Sequence, residues 1–277
     1  MHNYFQKFTP EPDKERGMFY SVAQPDVLIR IFGAAEAHQN GLTRWSLDDL
    51  HGAPARKHLI STALGIELRK LRVCRAYAPN GAAGSARVLD SRELRERVRL
   101  GRNTFLHRNS AVSADGVFLE RGEAFVAVSA GDPLIIAGGG EYAIVANAPL
   151  ESLVAPEAVT GALLRRRVSI VHAIVELLRK RGVRSWNILL CLQFAPPPEA
   201  CEYPLDDPEE GAYRRALGAY VDERWPGCAT RPADARLRLD CEALVIEQAR
   251  QIGITRAWAT RGGELLDGNL VIVRRNA

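Results

Sequence analysis

The 277-residue chain holds no paired cysteine motif, no long apolar run and no glycine-rich phosphate loop. Its five cysteines, Cys74, Cys191, Cys201, Cys228 and Cys241, are widely spaced, with no C-x-x-C among them. That excludes a zinc knuckle and a thioredoxin-type redox motif, and free thiols in a reducing compartment are the simplest account of them. No apolar stretch approaches the ~20 residues that a helix needs to cross a bilayer. The opening residues, MHNYFQKFTPEPDKERG, lack the apolar core of a secretion signal. Both absences set the expectation of a cytoplasmic protein with no membrane partner. Aromatic residues are sparse, at 7%, and are not interleaved with the basic ones. The basic residues are scattered apart from Arg165-Arg166-Arg167 and Arg179-Lys180-Arg181, which read as the solvated face of one helix. A nucleic-acid groove wants aromatic and basic residues together, so nucleic acid is not expected as a partner. Gly138-Gly139-Gly140 falls between two strand patterns, so it reads as a hairpin turn rather than an anion cradle before a helix.

What is present is the material of an ordinary globular protein: 47% apolar residues, 25% charged residues and a net charge of +4. The length suits one large domain or two closely merged subdomains. Residues 1–25 read as a polar lead-in and 26–277 as a single domain. Asp26–Phe32 is the first convincing strand, followed by a loop to about Thr43. Leu59, Ala63 and Ile66 predict a helix from Pro54 to about Leu71. Arg72–Tyr77 reads as a strand ending in the turn Ala78-Pro79-Asn80-Gly81. Ser91 is placed to cap a short charged helix running to Leu100. A long helix is expected from near Pro156, with Leu164, Val168, Val171, Val175 and Leu178 as its apolar stripe and Gly182 just past its end. A strand at Trp186–Leu192 precedes a proline-rich segment from Phe194 to Tyr203. Asp207-Pro208 opens a helix that stops before Pro226, and Asp240 caps a last one ending at Gly253. Strands at Arg256–Thr260 and Asn269–Arg275 close the chain. This alternation predicts an α/β (α+β) protein of mixed sheets with helices outside.

The stretch from Ala114 to Asn147 carries the strongest functional signal. Strand Glu123–Ser129 runs into Gly131-Asp132-Pro133 and continues as Leu134-Ile135-Ile136. Strand Glu141–Ala146 runs straight into Asn147. A rigid sheet can hold such polar side chains at the lip of a cleft, which is where α/β proteins place chemistry. Asp132, flanked by apolar strand, has its charged form disfavoured by desolvation and suits a general base. Asn147 can donate hydrogen bonds to a developing oxyanion. The plain alternatives are that Asp132-Pro133 begins a strand and Asn147-Ala148-Pro149 makes a turn. His107 precedes the Ala114-Asp115-Gly116 segment and is a candidate to reach the cleft, whereas His172 falls beside the helix stripe as a packing residue.

Several local patterns, in order, resemble the bacterial laccase-domain or polyphenol-oxidase-like family, across about residues 26 to 275. Ala114-Asp115-Gly116 resembles its ADA or ADG segment. The turn Pro196–Tyr203 resembles its GPCCYEV region. Leu239-Asp240-Cys241 with Gln248 and Gly253-Ile254 resembles its LDL…QL…GV helix, and the C-terminal Leu270–Arg275 resembles FFSYRR. The resemblance implies two merged subdomains in four layers, and purine nucleoside phosphorylase activity with adenosine deaminase side activity. It also implies a zinc site from a QVHG turn, an ADC segment and an HAGW motif. Here these positions read Ala78-Pro79-Asn80-Gly81, Ala130-Gly131-Asp132 and Asn147-Ala148-Pro149-Leu150. Each ligand is replaced, by Asn80, Asp132 and Asn147. Thiolate and imidazole suit zinc, whereas amides and a single carboxylate do not, so no metal and no cofactor are expected.

Three functions stay open. The first is a divergent, metal-independent enzyme for a small polar or heterocyclic molecule, by proton transfer, hydrolysis or cyclisation, as in specialised metabolism. Asp132, Asn147 and Asn80 would be its catalytic set, and Cys201, Tyr203 and His107 its substrate contacts, Cys201 lying in the turn that in the family borders the pocket. The second is an inactive homologue that binds a partner, which Leu150 in place of the family's Trp fits equally well. The third is retained purine nucleoside phosphorylase activity. A monomer or homodimer is expected.

Overall fold

The computed structural model describes residues 20–23, 27–33, 37–38, 43, 71–73, 88–89, 97–99, 105–107, 115–119, 121–122, 124–139, 142–154, 168–232, 235–259 and 267–275. Three sheets form its frame. The first has seven strands in the order β1 (Tyr20–Ala23), β2 (Val27–Phe32), β16 (Asp267–Arg275), β8 (Ala124–Ala130), β3 (Leu71–Val73), β6 (Phe105–His107) and β5 (Arg97–Arg99). The second has six: β15 (Ala257–Ala259), β11 (Leu189–Gln193), β9 (Leu134–Gly139), β10 (Tyr142–Asn147), β7 (Gly116–Leu119) and β4 (Val88–Leu89). A small third sheet orders β12 (Glu202–Pro204), β14 (Arg236–Leu239) and β13 (Ala229–Thr230). Parallel and antiparallel pairs mix in the first two sheets, as the alternating pattern predicts.

Among the described residues four α-helices lie outside the sheets: α1 (Leu150–Val154), α2 (Ile170–Lys180), α3 (Gly211–Arg224) and α4 (Cys241–Gln251). None of the described helices is long and apolar enough to cross a membrane. One face of the six-stranded sheet, carrying Phe118, Ala137, Ile144 and Leu190 in register, shares a core with Leu153, Ile174, Leu178, Val221 and Leu244 of the helices. The opposite face, with Val117, Val145, Ile136 and Cys191 in register, is buried too. Burial on both faces explains why these strands read as unbroken apolar runs rather than as alternation. β9 and β10 pair antiparallel with Gly139 opposite Tyr142, in keeping with the hairpin that the glycine run predicts.

The structure departs from the sequence reading in several places. β1 lies within residues read as a polar lead-in and pairs with β2, so these residues belong to the sheet. Arg97–Arg99, read as part of a charged helix, is an edge strand paired with β6. Its Arg-Val-Arg alternation has the strand period, and an edge accepts charge. The central helix starts at Ile170, because Ser169 caps it by accepting from the His172 amide; Val168 lies before it, and residues 155–167 lie outside the described set. Trp186 belongs to a 3₁₀ turn, is 60% exposed and has the Arg184 guanidinium 5.1 Å from its ring centre, so the following strand begins only at Leu189. Finally, the stretch from Glu123 to Ile136 is not one interrupted strand: β8 and β9 belong to different sheets. The helix expected from Pro54 and the strand beyond Val73 lie outside the described residues.

The caps read from sequence hold where they are described. Asp240 accepts from the Ala243 amide at 2.9 Å and starts α4. Replacing it with alanine is expected to remove about 1 kcal/mol of stability. In a chain of this size that lowers the melting temperature by about 2–4 °C in thermal denaturation. Asp240→Asn, which can still cap, should lose much less.

Candidate functional site

The chain crosses between its two large sheets through Gly131-Asp132-Pro133, three residues with β8 on one side and β9 on the other. Gly131 takes φ 88°, a left-handed conformation that glycine adopts without penalty. At the β9 end, Leu134 is in register with Asn147 of β10 and Gln193 of β11, so these residues share one face. The Asn147 amide donates to the Asp115 carbonyl at 2.6 Å, and the Ala148 amide to the Pro133 carbonyl at 2.8 Å. Backbone pairing thus gathers Asp115, Pro133, Asn147 and Gln193 at one end of the six-stranded sheet. Asp115 is 2% exposed, and its carboxylate accepts from the Ser152 hydroxyl at 3.1 Å. Ser152 lies on α1, which leaves directly from this strand end.

At the β8 end, Asp267 of β16 faces Ala130, the residue just before the crossover. The register then slips between Asp267 and Leu270, a β-bulge that contains Gly268 and Asn269. Asn269 is 5% exposed, and its side-chain Nδ2 is buried with no hydrogen-bond partner. An unmade hydrogen bond at a buried donor costs about 1–3 kcal/mol. Bulges re-aim side chains and are frequent beside active sites. On the other sheet, Phe194 follows Gln193 with φ 59°. A bulky residue in this region carries roughly 1–2 kcal/mol of strain, which such sites store. Gln193 itself is fully buried and donates to the Cys191 sulfur at 2.8 Å. Burial drives the Cys191 thiol far above its ordinary range, with that hydrogen bond opposing it weakly, so this sulfur stays protonated.

The elements that leave the strand ends wall a cavity of about 180 Å³. α1 contributes Leu150 and Val154, β12 contributes Tyr203, and α3 contributes Tyr213, Arg214 and Leu217. Arg214 is anchored from behind: it donates to Asp207 at 3.2 Å and to the Pro204 carbonyl at 3.1 Å, and pairs with Glu210. The amides of Glu210 and Glu209, and then Arg214, hold the Asp207 carboxyl below the usual carboxylate range. The cavity therefore offers apolar walls, two phenol rings and one fixed ion-pair cluster.

Of the residues expected from sequence, the structure brings Asp132 and Asn147 to the same crossover, Asp132 half-buried and Asn147 buried. Tyr203 lines the cavity. Cys201 does not; it is buried, with its sulfur 3.7 Å from that of Cys241. His107 ends β6, and β3 stands between β6 and β8. About 10 Å of sheet therefore separates it from the strand that leads to Asp132. Asn80 lies outside the described residues. His172, read as a packing residue, is half-buried with its Nδ1 2.8 Å from the Ser169 hydroxyl. Sequence reasoning missed Asp115, Gln193 and Asn269. For Asn269 a signal existed, since a glycine inside a strand pattern, here Gly268, marks a bulge.

Around the crossover the described polar residues are carboxylates and amides, among them Asp115, Asp132, Asn147 and Asn269, whereas zinc sites favour thiolate and imidazole. Among the described residues no group of three or more His, Cys, Asp or Glu side chains could hold a metal ion.

The chain has the fold of the crystal structure of YlmD from Geobacillus stearothermophilus, with 12% identity, a TM-score of 0.53, and 80% of this chain and 79% of that one covered. It has equally that of the hypothetical protein YfiH from Bacillus licheniformis, with 10% identity, a TM-score of 0.54, and 91% and 93% covered. The third, Neisseria meningitidis protein NMB0706 of family-model DUF152, gives 13% identity, a TM-score of 0.55, and 94% and 100% covered. These are laccase-domain structures, and the mixed sheets with helices outside them that the sequence implies are observed. No family model and no curated protein matches the sequence.

Proposed function

We propose that this chain is a small-molecule enzyme that uses the laccase-domain fold without zinc, with Asp132 as its general base. The observation that carries this reading is the crossover itself. A half-buried carboxylate, Asp132, lies between β8 and β9; Asn147 ends β10 beside β9, and the β16 bulge beside the end of β8 holds Asn269, whose Nδ2 is buried without a partner. A ligand carbonyl or ring nitrogen would satisfy such a donor and recover the cost of its burial. An amide donor beside a base is the pairing that proton transfer, hydrolysis or cyclisation of a small polar or heterocyclic molecule requires. Asn80 completes the set in this reading, and Tyr203 with the cavity beyond α1 receives the remainder of the substrate. The protein acts in the cytoplasm as a monomer or homodimer, of the kind used in specialised metabolism.

One observation favours a second reading, an inactive homologue that binds a partner. The cavity holds about 180 Å³. Drug-sized ligand pockets run to about 300–1,000 Å³, and Leu150, which stands where the family has Trp, lines its wall. Retained nucleoside phosphorolysis would need the ligands that Asn80, Asp132 and Asn147 replace, so it is not proposed.

A thermal-shift screen of the purified protein against nucleosides, small heterocycles, phosphate and divalent metals separates these readings. We expect a small ligand that raises the melting temperature and is turned over, with turnover falling about 100-fold or more in Asp132→Asn. Turnover unaffected by that substitution would overturn the role of Asp132. No ligand, together with a stable protein complex, would favour the partner reading. Stoichiometric zinc in the purified protein would overturn metal independence.

A further inference from the structure

We infer that Cys201 and Cys241 form a redox-sensitive pair that closes to a disulfide when the protein meets a hydroperoxide. The inference stands apart from the proposed activity and uses neither Asp132 nor Asn269. The two sulfurs lie 3.7 Å apart, both buried, although forty positions separate them in the chain. Their backbones are already fixed. The Leu239 amide donates to the Cys201 carbonyl at 3.2 Å, extending the ladder in which Glu202 faces Arg238 and Tyr203 faces Leu237. Cys241 is the first residue of α4, set by the Asp240 cap. A disulfide needs about 2.05 Å between sulfurs. The remaining approach is within reach of side-chain torsions, with the ladder and the cap left in place.

The other described thiols are placed differently. Cys191 is driven up by burial and turned to Gln193. Cys228 is pushed up to about 11, by burial first and then by Asp240, Glu247 and Asp222. At Cys201 the hydrogen bond with Cys241 outweighs burial and the Asp240 charge, holding this thiol below its ordinary value. With its sulfur 3.7 Å from that of Cys241 and its thiol held low by that hydrogen bond, Cys201 is assigned as the attacking thiolate and Cys241 as the resolving thiol.

It attacks the terminal oxygen of the hydroperoxide. The O–O bond breaks, a sulfenic acid forms on Cys201, and the leaving alkoxide or hydroxide takes a proton. The Cys241 sulfur then attacks the sulfenic sulfur, the S–S bond forms, and the sulfenic oxygen leaves as water with the Cys241 proton. Two thiols lose two electrons and two protons, and the hydroperoxide is reduced to alcohol, or water, plus water. A small hydroperoxide is the oxidant class that suits a buried pair. The bond would tie the root of α4 to the proline-rich turn and close a loop that contains Tyr203, Tyr213, Arg214 and Leu217 of the cavity wall.

The test is to treat the wild-type protein with hydrogen peroxide, unfold it, alkylate the remaining thiols and map the peptides. The thiol titre of the unfolded chain should fall by two from five. A peptide joined through Cys201 and Cys241 should appear, about 2 Da lighter than the reduced pair and reversed by dithiothreitol. In Cys241→Ala the joined peptide should vanish and a dimedone-reactive sulfenic acid should mark Cys201. Because the wild-type map decides by itself, a poorly folding variant does not blunt the test. Three results would overturn the inference. These are a crosslink joining other cysteines instead, Cys201 carried to sulfinic acid in wild type with no crosslink, or both thiols unreacted after methionines have oxidised.

Discussion

Replacing Gly116 with alanine is expected to lower the melting temperature by about 6–12 °C, the equivalent of about 3 kcal/mol for a chain of this size. Gly116 opens β7 directly opposite Ala146 of β10. A Cβ built there would fall 2.5 Å from the Ala146 Cβ, 2.7 Å from the Val145 carbonyl oxygen and 2.9 Å from the Ala146 Cα. Two of these three atoms are backbone, and β10 is held on its other side by β9, so no rotamer change relieves the clash. The strands must part instead. Separation begins one residue from the Asn147 amide and Asp115 carbonyl bond, so any ligand response at the crossover should be lost along with stability. Thermal unfolding followed by circular dichroism measures the first effect, and the ligand screen the second. A melting temperature within a degree or two of wild type would show that β7 and β10 are not packed this closely.

Truncating Phe118 to alanine should cost about 4 kcal/mol, or roughly 8–16 °C in melting temperature. Phe118 is fully buried, two residues along β7 from Gly116 and on the same, helix-covered face. Its ring packs against Tyr142 with centroids 5.1 Å apart, and the Arg181 guanidinium sits 4.9 Å from its centre. Alanine would leave a cavity and remove both ring contacts at once. Phe118→Leu separates the terms, because it keeps most of the apolar volume and removes the aromatic face. It should cost about 1–2 kcal/mol, the sum of imperfect repacking and the lost cation–π and ring–ring contacts. Equal losses for the two variants would mean that the ring face, rather than buried volume, dominates. Chemical denaturation at fixed pH gives both numbers.

Local signals carried well through the C-terminal half. Asp207-Pro208 before α3 and Asp240 before α4 act through hydrogen bonds spanning two or three residues, so they can be read without knowing the fold. The glycine run between β9 and β10 is equally local. Arg97–Arg99 failed for the opposite reason. A three-residue edge strand among charges has no helical stripe to contradict and takes its conformation from β6. The central helix was extended too far because Ser169, its cap, sits inside an apolar pattern that continues on either side.

The candidate site divides in the same way. Asp132 and Asn147 could be picked out because each ends an apolar run within one stretch of chain. Asn269 could not be joined to them from sequence, although Gly268 hinted at the bulge. Its relevance depends on β16, near the end of the chain, inserting between β2 and β8.

The sequence by itself determined the class of fold, the Asp240 cap, the hairpin and the identity of the polar residues at the strand ends, because these follow from spacing, burial pattern and short-range hydrogen bonds. Tertiary structure alone decided that Gly131-Asp132-Pro133 bridges two sheets, that the β16 bulge holding Asn269 pairs beside the end of β8, and that Cys201 meets Cys241. Each depends on pairing between segments far apart in the chain. Strand register sets that pairing, and no local periodicity encodes it.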